Sequence, residues 1–464
     1  MPINNKKYNF KIAVLLSLSF VFIFFGIGCK GLSQEDTIAT KPITLNYWTV
    51  FNDVDELQKF AKEYKTIRPY VTINVRQVRY DEFDSLFANA LADDVEPDIV
   101  SMHSRWLRRY QNRLDSAPDN VSVARIIIKG KLKPETIVSI DNNALPTKNY
   151  LKKAYVSAVA DDVIINDKIY GLPLAMDTLA MYYNKELLDK AGIPLVPTTW
   201  LEFSEAVKKS TRFGKNGEII QSGAALGAGT NVSNSFDIIS MLLLQNGVKI
   251  EQGGQVDFMK GVSDREPNHP IFQALRFYTN FAQPTKDVYS WNESMGEALS
   301  EFARGKSVFF FGFAYDRPRL KALNPQIKFD IEPIPQLSSA VPVNVANYWV
   351  ESVVLKSANK NEAWDFIRFM SEPANIKKYV TATKQPSPLR AQISEQQEDP
   401  ELGPFAKQAL TAQNWYKGKN VEAAAKGFND MIAAYLKPSL GDADSLVRNI
   451  SLLNIAQGVI QQTY

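Results

Sequence analysis

The chain has 464 residues, more than one compact core usually organises, so two domains are expected. Its 45% hydrophobic and 22% charged residues are ordinary for a globular protein and argue against disorder. The formal charge of +3 comes from residues 1–28, where Lys6, Lys7 and Lys11 stand without an acid; the remainder carries 50 basic and 50 acidic side chains. Such a neutral body offers no general attraction to nucleic acid or anionic lipid.

Residues 1–28 read as an export signal: lysines, an apolar run from Ile12 to Ile27, then small residues before Cys29. The run is shorter than the ~20 residues a spanning helix needs. Cys29 is the single cysteine, so no intramolecular disulfide can form. It sits where bacterial lipoproteins carry their acylated cysteine, and that resemblance implies a lipid anchor. Gly26 departs from the aliphatic residue preferred in that pattern, and an uncleaved membrane anchor is the alternative. Either one places the body outside the cytoplasmic membrane. Residues 29–42 are polar and aperiodic, as in a flexible tether.

From Ile43 to Val50 the sequence alternates as a strand. Asp53 then opens a helix whose stripe is Leu57, Phe60, Ala61 and Tyr64, and Pro69 ends it. Val71, Ile73 and Val75 mark a second strand, Tyr80–Leu91 a helix and Pro97–Met102 a third strand. This order predicts a mostly parallel sheet flanked by helices, with ligand sites beyond the strand ends at Trp48–Asp53 and Met102–Trp106. Tyr170-Gly171 is a turn, and Leu174–Tyr183 reads as one strand covered on both faces. Asn184 caps a helix over Lys185–Ala191 that Gly192 ends, and Thr199-Trp200-Leu201-Glu202 is a capping box. A Gly-, Ser-, Thr- and Asn-rich stretch, Gly223–Asn234, precedes a helix over Phe236–Gln245. Residues 400–464 are helical in pattern.

The segment 169–203 closely resembles the central part of the extracellular solute-binding proteins, family 1, which feed ABC importers. Phe302–Gly312, with its Gly305-Lys306 turn, and Asn347–Leu355 followed by Asn361–Met370 look like later segments of that family. The resemblance covers residues 43–380 in the family's order. It implies an α/β, two-lobed, periplasmic-binding-protein-like fold with mixed, mostly parallel sheets and hinge crossings near Ala175–Asp177, Val308–Phe311 and Asn347–Val350. Lobe one would be 43–175 plus 310–347, and lobe two 176–309 plus 348–464. It also implies a monomeric, membrane-tethered protein that hands a small solute, most often a sugar, to an ABC permease.

Enzyme signatures are sparse. His103 and His269 lack the spacing of a metal pair, so neither a metal nor another cofactor is expected. Gly305-Lys306-Ser307 lacks the earlier glycine of a phosphate loop, where Ser300 stands, and no G-x-S-x-G occurs. Aromatic rings at strand ends and crossings are the candidate platforms for the apolar face of a sugar: Trp48, Phe51, Trp106, Phe313, Tyr315, Tyr348 and Trp349. Asp53, Asp177 and Asn231 are candidate polar contacts. Asp177, in a segment expected to be buried, needs a partner, and the resemblance implies a ligand hydroxyl. Asp53 equally fits a helix cap. Arg105, in the cluster with Arg108, Arg109 and Arg113, keeps an anionic solute open. A lipid-anchored glycan-acting enzyme, and a sensor or adhesin on the same fold, are the remaining alternatives.

Overall fold

The computed structural model describes residues 33–130, 135–263, 265–437 and 442–464; the export signal and Cys29 lie outside them. Part of the expected tether is ordered as a short solvated helix, Gln34–Ala39. Ser33 caps it, and Glu35 and Asp36 sit in the first turn where the helix dipole favours acids.

The first sheet starts as the alternation predicts. Strand β1 (Ile43–Thr49) buries Leu45 and Tyr47, and α1 (Val54–Ile67) follows with Asp53 as its cap and Leu57, Phe60 and Tyr64 inward. Next come β2 (Val71–Gln77), α2 (Tyr80–Ala92) and β3 (Ile99–His103). β2 and β3 both lie parallel to β1. A long antiparallel hairpin, β4 (Asn120–Lys129) with β5 (Glu135–Ala144), then stands apart from both main sheets, and α3 (Ser157–Val163) follows it.

The run expected as one strand over Leu174–Tyr183 is broken at Leu179. β6 (Asp177–Thr178) and β7 (Ala180–Asn184) pair in different sheets, because the chain here leaves the first half of the molecule. Asn184 caps α4 (Lys185–Lys190), Gly192 takes φ +67°, and the Thr199–Glu202 capping box opens α5 (Trp200–Ser210). The second sheet is completed by β8 (Arg212–Phe213), β9 (Ile219–Ala224), β10 (Ser307–Gly312) and β11 (Phe329–Pro333). Its spatial order is β8-β9-β10-β7-β11. Helices α6 (Ser235–Gln245) and α7 (Asp316–Leu323) lie within this half of the chain.

Two short strands bring the chain back: β12 (Asn344–Asn347) pairs with β6, and β13 (Trp349–Val353) pairs antiparallel with β3. After α8 (Lys360–Met370), β14 (Ala412–Gln413) joins β12. The chain then ends in α9 (Val421–Leu436) and α10 (Asp442–Gln461). No helix among the described residues is long and apolar enough to cross a membrane.

This pairing changes the expected division of the chain. Residues 307–312 are no crossing: β10 is a fully buried strand, flanked by β9 and β7. With β11 it belongs to the second sheet, whereas β13 lies at the edge of the first. The passages between sheets run through β6, β12 and, unforeseen, β14. Gly171 permits the chain's close approach to β13, since a Cβ would lie 2.6 Å from the Glu351 carbonyl oxygen and 2.5 Å from Val350 Cγ1. The fold is mixed α/β in two lobes.

Candidate ligand-binding cleft

A cavity of about 380 Å³ lies where the strand-end rule places it. The first-sheet side supplies Phe51 and Asn52 after β1, Tyr80 at the start of α2, and His103 and Arg105 at the end of β3. The crossings supply Met176, Asp177, Asn347, Tyr348 and Trp349. Phe236, Asp237 and Tyr315 face them from the second-sheet side, and Val421, Glu422 and Ala425 from α9.

Six of the expected site residues meet here: Phe51, Arg105, Asp177, Tyr315, Tyr348 and Trp349. Phe51 stays 57% exposed, stacks on Tyr315 at 6.1 Å and lies 5.4 Å from Trp349, so three rings from three parts of the chain form one apolar wall. Tyr348 turns its hydroxyl away, donating to Asp162 Oδ2 at 2.6 Å.

Asp177 is buried, and its Oδ1 accepts from the Thr178 amide at 2.8 Å. Its Oδ2 is buried with no hydrogen-bond partner. Burial pushes this carboxyl up to about 8, opposed by the Thr178 amide and by the Ala314 and Tyr315 amides, which lie nearby but outside hydrogen-bond geometry. Arg105 carries no free charge into the cavity, because its guanidinium pairs with Asp237 and lies 5.4 Å over the Phe236 ring. His103 accepts from the Arg105 amide through Nδ1 and meets Asn347 Oδ1 through Nε2 at 2.6 Å. Burial, helped by Arg105, holds it down to about 4, so its imidazole is neutral. Beneath the floor, Glu351 accepts from Tyr47, Asn52 and Ser101, and burial lifts it to about 7. That network fixes Asn52 as part of the cavity surface.

Five other expected residues lie outside the cavity. Trp48 is buried under the Arg76 guanidinium. Asp53 is spent on the Glu56 amide as a cap. Trp106 is buried behind Trp349, with its indole N–H on Glu422. Asn231 donates to the Asn292 and Met295 carbonyls and accepts from Trp291. Phe313 is buried and stacks beneath Tyr315 at 5.6 Å. Trp48, Trp106 and Phe313 are turned into the core, whereas Asp53 and Asn231 are committed to local hydrogen bonds. Among the described residues no cluster of three metal-donating side chains occurs.

The sequence profile of the bacterial extracellular solute-binding proteins matches residues 57–404. The chain belongs to that family. Among curated members, a multiple sugar-binding protein of Streptococcus mutans is 22% identical over 436 residues, covering 89% of this chain and 93% of the relative. Solved solute-binding proteins share the fold. The maltose complex of MalE from Listeria monocytogenes superposes with a TM-score of 0.67 at 18% identity, over 91% of this chain and 98% of that one. UgpB from Mycobacterium tuberculosis, bound to glycerophosphocholine, gives 0.67 at 15% identity, over 90% and 99%.

Several lining residues of this solute-binding protein escaped the sequence reading. Tyr80 follows β2 just as Phe51 follows β1, so the same rule applied to the second strand in the chain would have found it. Asp237 sits in the first turn of a helix opened by a Gly- and Asn-rich loop, a usable signal. Glu422 has no local signal, since only the fold brings α9 to the cleft.

Proposed function

We propose that this protein captures a neutral carbohydrate between its lobes and delivers it, without chemical change, to an ABC permease. One observation carries the reading: a buried carboxyl oxygen, Asp177 Oδ2, lacks a partner at a cavity walled by Phe51, Tyr315 and Trp349. A sugar hydroxyl satisfies that oxygen while the C–H face of its ring covers the aromatic wall. The Arg105–Asp237 pair cancels the cationic attraction an anionic solute would use. The sugar named for the Streptococcus relative and the maltose in the Listeria structure support the same class.

In this reading the lobes follow the two main sheets, with β6, β12 and β14 as the hinge. The body is a monomer held at the outer face of the cytoplasmic membrane by acylated Cys29. The aromatic wall and a single unpartnered carboxyl, with no second such group beside it in the cavity lining, favour binding over turnover. A thermal-shift screen of sugars, polyols, amines and phosphate esters tests the solute class. A sugar or sugar alcohol should raise the melting temperature, confirmed by titration and by recovery of the unaltered compound. Stabilisation by phosphate esters or amines alone rejects the carbohydrate assignment, and recovery of a cleaved glycan rejects the non-catalytic one.

A further inference from the structure

Helix α9 is fixed to the second-sheet side of the cleft. Phe428 packs 5.7 Å from Phe236 and 5.9 Å from Phe258, and Asn429 Oδ1 accepts from Ser235 Oγ at 2.9 Å. Its first turn reaches the other side. Glu422 Oε1 accepts from the Trp106 indole N–H at 2.9 Å and from the Tyr80 hydroxyl at 3.4 Å, while Oε2 lies 3.7 Å from the Arg109 guanidinium. All three partners belong to the first-sheet side: Tyr80 opens α2, and Trp106 and Arg109 follow β3. A helix attached to both walls of a cleft closes one of its openings. Val421, Glu422 and Ala425 line the cavity from that closure. The cavity's 380 Å³ is near the low end of the roughly 300–1,000 Å³ found for small-molecule pockets.

We propose that the first turn of α9 is a wall that limits the ligand to one or two sugar units, with Glu422 the positioning residue that holds it against the first-sheet side. This rests on the carbohydrate reading above. A third or fourth unit of a linear chain that extends toward α9 would have to pass through the opening that the helix occupies. It could do so only by displacing the carboxylate from its partners, and hydrogen bonds to an ionised acceptor are the stronger kind. The aromatic wall would still grip the first units, so a longer chain pays for entry without gaining contacts.

Two ladders of one to four units, malto-oligosaccharides and galacto-oligosaccharides, are titrated calorimetrically into the parent, Glu422→Ala and Trp106→Phe. Trp106→Phe keeps a ring behind the cleft while removing the indole N–H donor together with part of the ring system, and circular dichroism confirms that each variant is folded. The parent should bind the mono- or disaccharide of at least one ladder about tenfold or more tighter than its tetrasaccharide, and both variants should narrow that gap to about threefold or less. A parent that binds the tetrasaccharide as tightly as the disaccharide, or variants that keep the parent's gap, overturn the wall while the carbohydrate reading stands. No binding from either ladder overturns both.

Discussion

Arg105 and Asp237 form an ion pair across the cleft, the arginine from the end of β3 and the aspartate from the first turn of α6. Both side chains are nearly buried, at 11% and 12% exposure, so the pair is shielded from salt far more than a surface bridge. It converts the most cationic candidate of the sequence into a neutral part of the wall.

Asp237→Asn releases that guanidinium into the cavity. The variant should acquire affinity for a phosphate ester such as glycerol 3-phosphate, weakening as salt rises, where the parent binds none. Calorimetric titration at low and high salt reads this out. A parent that already binds the ester as tightly as the variant would restore the anionic solute.

Aromatics that line the cavity and aromatics in the core should separate by readout. Tyr315→Ala and Trp349→Ala remove contact area worth roughly 1–3 kcal/mol, weakening binding of the screened sugar about tenfold or more. Trp48→Ala and Phe313→Ala should instead cost stability, by roughly 3–5 kcal/mol, as core truncations do. Denaturant melts and titrations on all four decide it. If the first two bind like the parent, the wall is not a sugar platform.

Asp177 gives a pH signature. Its folded carboxyl is pushed up to about 8, whereas an unfolded one titrates near 3.9. The folded chain thus keeps a proton that the unfolded chain releases between about pH 4 and pH 8, and stability falls across that window. Asp177→Asn has no such proton to lose. Its stability relative to the parent should rise from pH 4 to pH 8 and then level off. Glu351, lifted to about 7, titrates in both proteins and cancels in the difference. A difference independent of pH in urea titrations would show that Asp177 is ionised throughout.

A ligand touching both sides of the cleft favours the closed arrangement. Small-angle scattering should give a smaller radius of gyration at saturation with the screened sugar than without it. An unchanged radius would indicate a rigid module.

Mass spectrometry of protein from membranes of the native host should find residues 1–28 removed and Cys29 carrying acyl chains. Each buried methylene contributes about 0.8 kcal/mol to anchoring, so several chains hold the body at the surface. An unmodified Cys29 would remove the lipid anchor from the proposal.

Local features were the legible ones. Asp53, Asn184 and the Thr199–Glu202 box cap the helices expected of them, because caps are decided within four residues. Sheet membership was not legible. Ser307–Gly312 looks alike whether it crosses between lobes or lies mid-sheet, and only its pairing with Ala180–Asn184 and Ile219–Ala224 decides. The cavity divided its candidates for a similar reason: the sequence marks strand ends, but the face a ring takes depends on the exact residue at which the strand stops. Trp48 lies inside β1 and is buried, while Phe51 lies past it and is exposed.

β13 pairs with β3 across about 250 residues of intervening chain, Trp349 lying opposite His103. The first sheet therefore cannot acquire its edge until most of the polypeptide is present. Contacts so distant in sequence carry a large loop-closure cost and slow folding. The N-terminal half has no complete sheet to lock into while the rest is still being synthesised. Fragments ending before residue 349 should accordingly collapse without settling into a native first lobe.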